Sequence, residues 1–186
     1  MKSLLEKASV RSQAQRFTSD QYDELTRLGI IPEKTELIDG VIIGKMGKSP
    51  RHAAIKEIFA ELLKSILPAD FCIRCEAPLV SGYSEPEPDL AIVKGAQSDY
   101  LDSHPRHAEL VVEISLTSLE LDREKAAVYA SMRIPDYIIV NLQNETLECY
   151  AQPADDEYSN NKILTRGQSF HWRGKEIPVG RVFIKK

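Results

Sequence analysis

Glu109-Leu110-Val111-Val112-Glu113-Ile114-Ser115, followed by Leu119 to Met132 and then by Pro135 and Tyr137-Ile138-Ile139-Val140, is the stretch from which the architecture can be read. The first run is short and almost wholly apolar, the composition of a strand central in its sheet. The period then changes. Leu121, Val128 and Met132 offer apolar side chains along a helix, and Pro135 ends that helix before the next apolar run begins. Upstream lie two further strand candidates, Asp89 to Val93 and Phe71 to Val80. Before them, Ser49-Pro50 supplies an N-cap with proline at the first helical position, and Ile55, Ile58, Phe59, Leu62 and Ile66 recur at helical spacing until Pro68. The order from Pro50 is helix, three strands, helix, strand, which predicts an α/β fold: a mixed sheet with helices packed against it.

Further out, Thr18-Ser19-Asp20-Gln21 matches a capping box, and Tyr22, Leu25 and Leu28 with a stop at Gly29 predict a short helix. Glu36-Leu37-Ile38 and Val41-Ile42-Ile43 flank Asp39-Gly40, a dipeptide suited to a two-residue hairpin turn. This hairpin reads as an N-terminal addition to that fold. After Val140, Thr146 to Tyr150 reads as a hairpin partner and Asp155-Asp156-Glu157 as a solvated loop. Ile163-Leu164 and Val179 to Ile184 read as short closing strands. Residues 1–17 show no clear period and read as an extension or a loosely attached helix, leaving 18–186 as one domain.

The 186 residues suffice for a real core, and 42% hydrophobic with 28% charged residues is ordinary for a globular chain. No apolar run approaches the roughly 20 residues of a membrane span, and the charges in Met1-Lys2-Ser3-Leu4-Leu5-Glu6 interrupt any signal-peptide core. The expectation is a cytoplasmic protein with no membrane partner. Three cysteines make a poor disulfide framework. Cys72 and Cys75 form a CxxC, but on a strand residues three apart point to opposite faces, so they chelate poorly. The formal net charge of -4 argues against a uniformly basic nucleic-acid-binding surface, yet a carboxylate cluster that binds Mg2+ would itself make the total more negative.

Three residues stand out chemically. Asp89 opens a strand after Pro88, Glu113 sits inside an apolar strand, and Lys125 lies in Asp122-Arg123-Glu124-Lys125 on the helix that follows. An ionised carboxylate among Leu, Ile and Val needs a strong local reason to be there, and a divalent cation supplies one. Carboxylates from neighbouring strands give the oxygen ligands Mg2+ prefers, and a nearby ammonium can orient water or offset phosphoryl charge. With its pKa depressed by neighbouring cations it could also act as a base. Taken singly, each has a plainer reading: a turn residue, the partner of a buried arginine, a solvent-facing lysine. Their joint occurrence on strand, strand and helix favours one site.

Glu36-Leu37-Ile38-Asp39-Gly40, Ser49-Pro50-Arg51-His52, Glu87-Pro88-Asp89-Leu90, Val111-Val112-Glu113-Ile114-Ser115, Asp122-Arg123-Glu124-Lys125 and Ile134-Pro135-Asp136-Tyr137 together resemble the Uma-type restriction endonuclease family, within the PD-(D/E)XK nuclease superfamily. The resemblance runs from about Thr18 to Tyr150. It implies a restriction-endonuclease-like fold, dependence on Mg2+ with Mn2+ as a substitute, and Asp89 and Glu113 as metal ligands with the carbonyl of Ile114 as a third. The superfamily lysine would stand two positions after the glutamate, where this chain has Ser115. The family pattern matches a lysine on the following helix, so Lys125 inherits the role. Glu36 matches a family acidic position and divides evenly between site support and a strand-edge charge. His52 divides between a phosphate contact and a buried, hydrogen-bonded histidine.

The function implied is a metal-dependent endonuclease acting on DNA, with catalytic candidates Asp89, Glu113, Lys125 and Glu36. A homodimer is an option, since enzymes that cut both strands often pair. The alternative is a catalytically weak or inactive nucleic-acid-binding or assembly module of the same fold. A glycosidic hydrolase using paired carboxylates ranks third, because it leaves the lysine without a task.

Overall fold

The computed structural model describes residues 8–11, 13–45 and 47–184. In chain order the elements are α1 (Ala8–Arg11), α2 (Ser19–Arg27), β1 (Thr35–Ile38), β2 (Val41–Gly44), α3 (Pro50–Lys64), β3 (Phe71–Cys75), β4 (Leu90–Lys94), β5 (Leu110–Ser115), α4 (Leu119–Ser131), β6 (Asp136–Asn141), β7 (Thr146–Ala154), β8 (Glu157–Leu164), β9 (Ser169–Trp172), β10 (Lys175–Pro178) and α5 (Val179–Val182). Among the described residues the main sheet has six strands in the order β3-β4-β5-β6-β7-β8. All neighbours are antiparallel except β5 and β6, which run parallel because α4 carries the chain back across the sheet.

Alternation along β5 assigns the two faces. Leu110, Val112 and Ile114 join Ile55, Phe59, Leu62 and Leu63 of α3 in one apolar cluster, closed from below by β9, β10 and α5 through Phe170, Trp172, Ile177, Val182 and Phe183. Val111 faces the opposite cluster with Val128, Tyr129 and Met132 of α4 and with Ile38 of the β1–β2 hairpin. Glu113 shares the parity of Val111 and therefore points to the α4 side.

Local signals explain the elements. Thr18 caps α2 through a capping box with Gln21, and Ser49 caps α3 by accepting the His52 N–H at 3.2 Å, with Pro50 at the first position. Asp39 and Gly40 both adopt positive φ, 49° and 77°, giving the hairpin its turn. A Cβ on Gly40 would also collide with the Arg16 side chain, which hydrogen-bonds Asp39. Of the predicted 1–17 extension, residues 1–7 and 12 lie outside the described residues. No helix among the described residues is long and apolar enough to cross a membrane.

The C-terminal third differs from expectation. Residues 179–182 form a helical turn rather than a strand, because Val179, Val182 and Phe183 recur at i, i+3 and i+4 and bury together. The β9–β10 hairpin turns on Arg173-Gly174, whose φ values are 48° and 75°, a dipeptide with little turn signature. Glu157 opens β8 instead of ending a loop, and β8 is mostly exposed and polar, so no apolar alternation advertises it. Upstream, β3 stops at Cys75 because Glu76 takes φ 50°.

One buried carboxyl outside the main sheet gives the fold a pH dependence. Glu85 pairs by backbone with Leu37, is 6% exposed, and its Oε2 has no hydrogen-bond partner among the described residues. Burial first, then Asp23 and Glu87, push its carboxyl up to about 7 against the weaker opposing pull of Lys45. A carboxyl that binds its proton more tightly when folded contributes stability fully present below its unfolded pKa of about 4.5 and lost as pH rises through about 7. Glu85→Gln should therefore melt higher than the parent at pH 8, by on the order of 1 to 2 kcal/mol, with the difference vanishing near pH 4. Thermal unfolding of both proteins across that range checks the prediction.

Candidate active site

The register of β4 against β5 sets Leu90 opposite Val112, so one step further places Asp89 beside Glu113 at the end of the strands. The backbone completes this junction. The Asp89 N–H donates to Glu113 Oε2 at 3.4 Å, and the Ile114 N–H donates to Asp89 Oδ2 at 2.7 Å. The N-terminal turns of α3 and α4 reach this point from opposite layers of the fold, α3 bringing His52 and α4 bringing Asp122 and Lys125. The resulting cleft, about 290 Å3, is lined on one side by Lys45, Lys48, Ser49 and His52 and on the other by Thr117, Ser118 and Leu121.

Lys125 is 5% exposed. Its ammonium lies 3.1 Å from Glu113 Oε1 and 2.7 Å from Glu36 Oε1, and the Tyr129 hydroxyl donates to Glu113 Oε1 at 2.8 Å. Burial alone would lower the lysine pKa, but Glu113, Glu36 and Asp122 together raise it, so the ammonium stays charged. The condition for a base, neighbouring cations, is not met: its neighbours are carboxylates. Asp89 is likewise 5% exposed, with Oδ1 2.8 Å from Lys48 Nζ and Oδ2 3.0 Å from His52 Nε2. Burial would raise its pKa, yet the hydrogen bonds from His52 and Lys48 hold it below the usual carboxylate range. Asp122 accepts from the Ser118 hydroxyl at 2.6 Å and is shifted upward by burial.

Glu36, Asp89, Glu113 and Asp122 thus crowd around Lys125 and Lys48. Burial, reinforced by Asp89, Asp122 and Glu36 and opposed by Lys125, pushes Glu113 up to about 8. The anionic oxygens exceed the cations that face them, and a proton or another cation must make up the difference. No group of three or more His, Cys, Asp or Glu side chains among the described residues is arranged to hold a metal unaided. Two carboxylates with a backbone carbonyl, the remainder of the shell being water, is still a fitting donor set for Mg2+, which dehydrates reluctantly and is often held by one or two carboxylates.

A family model described as "Uma2: Putative restriction endonuclease" matches residues 20–173. The chain belongs to that family. Among solved structures, the Uma2 chain is similar to one described as a "putative nuclease belonging to DUF820" from Anabaena variabilis ATCC 29413, with 13% identity, a TM-score of 0.71, and coverage of 90% of this chain and 97% of that one. That likeness shows that the two chains share a fold. No curated protein matches the chain.

The sequence candidates meet in the Uma2 chain with one adjustment of emphasis. Asp89, Glu113 and Lys125 converge, and Glu36 is no edge charge: it is 4% exposed and ion-paired to Lys125. His52 is buried and bonded to Asp89, while its Nδ1 has no partner among the described residues. His104 and His107 stay on a loop, and Cys72 and Cys75 are free. Sequence reading passed over Lys48 and Asp122. Asp122 follows the cap position of a helix and reads as an ordinary first-turn acid, while Lys48 in Gly47-Lys48-Ser49 reads as a solvated loop residue.

Lys125→Met removes the shared partner of two buried glutamates. The substitution should cost about 3 kcal/mol at neutral pH, the penalty for stranding the buried Glu36, because Glu113, pushed up to about 8, already holds its proton for the most part there. It should be visible as a lower urea midpoint, and the loss should shrink in Glu36→Gln/Lys125→Met because one stranded charge is gone.

Proposed function

We propose that this Uma2 chain is a divalent-metal-dependent nuclease that hydrolyses phosphodiester bonds of DNA at the cleft between α3 and α4. The observation that supports this reading is the adjoining pair of buried carboxylates, Asp89 and Glu113, with the Lys125 ammonium 3.1 Å from Glu113, all at one cleft. Asp89, Glu113 and the Ile114 carbonyl would hold Mg2+, with Mn2+ as a substitute. When bound, the ion supplies a lowered pKa for water and charge neutralisation for the phosphoryl group.

The chain's own residues do the rest. Asp89 is kept ionised and oriented by the Ile114 N–H and His52 on Oδ2, so that the carboxylate itself need not turn when a cation arrives. Glu113 is fixed by Tyr129 and Lys125 on the oxygen opposite to the one facing the Asp89 N–H. Lys125, permanently charged, offsets negative charge that develops on the phosphate and aligns the attacking water. Glu36 holds Lys125 from the hairpin and prevents the ammonium from collapsing wholly onto Glu113. Catalysis of this kind rests on positioning and electrostatics more than on covalent chemistry.

Purified protein should cut DNA in Mg2+ or Mn2+ and be silent in EDTA, and Asp89→Asn or Glu113→Gln should lose at least about a hundredfold in rate. The readout is product formation on supercoiled and linear DNA. Cleavage that survives both EDTA and Asp89→Asn would overturn the reading. Binding to DNA with no cleavage under any divalent ion would favour the inert module instead.

A further inference from the structure

The two oxygens of Asp89 are unequally occupied. Its Oδ2 faces two partners, the Ile114 N–H at 2.7 Å and His52 Nε2 at 3.0 Å, and its Oδ1 takes the Lys48 ammonium at 2.8 Å. Oδ1 carries one partner where Oδ2 carries two, so a divalent ion that ligates Asp89 comes to Oδ1 and lies beside the Lys48 ammonium. The Oδ2 partners are fixed: one is backbone in a strand interior to the sheet, the other a buried side chain in the first turn of α3. Lys48 is different. Its side chain is 39% exposed, it hangs from the loop between β2 and α3, and its Nζ already touches a second acid, Glu76 Oε1, at 2.7 Å.

We infer that Lys48 is a place-holding cation, which yields Asp89 Oδ1 to the divalent ion and, from its remaining hold on Glu76, turns to a phosphate oxygen of the nucleic acid. The inference rests on the nuclease reading above and adds a substrate-positioning residue to it. Three features carry it. Without an internal cation the 5%-exposed Asp89 would be a buried charge backed only by His52 and the Ile114 N–H, so the lysine helps to keep the ligand ionised while the ion is away. A divalent charge arriving beside an ammonium repels it, which makes ion binding and lysine release one event.

The displaced group also has somewhere to go. Glu76 follows β3 at the rim of the same cleft and also pairs with Lys56, so Lys48 stays at the mouth instead of leaving for bulk water. Lys45, paired with Glu87 at 2.5 Å, lines the same rim. The cleft, about 290 Å3 against roughly 30 Å3 per water molecule, has room for a phosphodiester group. A lysine there meets the phosphate as a point charge, which reads backbone and not base sequence.

The test is Mn2+ binding without DNA, by calorimetry, in wild type, Lys48→Met, Glu76→Gln and the double variant. Lys48→Met should bind Mn2+ about tenfold more tightly, because the competitor is gone, whereas damage to the fold would weaken binding. Glu76→Gln should weaken Mn2+ binding about threefold by leaving Lys48 no second acid, and that effect should disappear in the Lys48→Met background. In DNA cleavage, Lys48→Met should raise KM about tenfold and flatten the salt dependence of binding by about one unit of slope, while Lys48→Arg stays near wild type. Unchanged or weaker Mn2+ binding by Lys48→Met, or a Glu76→Gln effect that persists without the lysine, overturns the proposal. Asp89→Asn separates the two readings. If it abolishes Mn2+ binding while Lys48→Met matches wild type, only the lysine exchange falls. If wild type itself neither binds Mn2+ nor cuts DNA, the nuclease reading falls and takes the exchange with it.

Discussion

The organising constraint of this molecule is electrostatic: a lysine and two glutamates are withdrawn from water together, and the neighbouring elements are arranged so that none is left alone. Lys125 bridges Glu113 on the main sheet and Glu36 on the hairpin, and Tyr129 fills the remaining approach to Glu113. Such a group is expensive to bury and gives little net stability compared with an apolar replacement. Its presence at a sheet end that could have been closed by leucines is the strongest physical sign that this end serves a purpose other than folding.

The layers around the charges are ordinary by comparison. One face of the sheet packs α3 and the C-terminal hairpin, the other packs α4 with a group of tyrosines in which Tyr137 lies 4.8 Å from Tyr129 and 5.6 Å from Tyr150, ring centre to ring centre. The Tyr137 hydroxyl donates to the Asp122 carbonyl at 2.6 Å. That bond fixes the start of α4 relative to β6, and with it the angle at which Lys125 enters the sheet end. Packing and polar geometry are therefore coupled through one aromatic side chain.

Much of this was readable from residue order. The helix caps at Thr18 and Ser49, the Asp39-Gly40 turn and the apolar run of β5 act through neighbours close in sequence, and each appears where its signature predicts. Asp89, Glu113 and Lys125 drew attention because ionisable groups sit in apolar company. Lys48 and Asp122 were invisible for the converse reason: both lie in polar stretches where a charge needs no excuse, and only distance in space shows what they touch. The exposed strand β8 and the Arg173-Gly174 hairpin escaped because their positions are set by edge pairing with β7 and by packing beneath α3, neither of which leaves a periodic trace.

The bond between Lys125 and Glu36 spans about ninety positions of chain and joins α4, and through Glu113 the six-stranded sheet, to a separate two-stranded one. During folding, the β5-α4-β6 unit can assemble from contacts local to it, but its lysine stays incompletely neutralised until the early hairpin arrives and docks. The polar centre is therefore complete only once the hairpin is in place. A chain whose hairpin had come away would keep the packing of β5, α4 and β6 and lack the second partner of its buried lysine, so this one ion pair ties the polar centre to the docking of a distant segment.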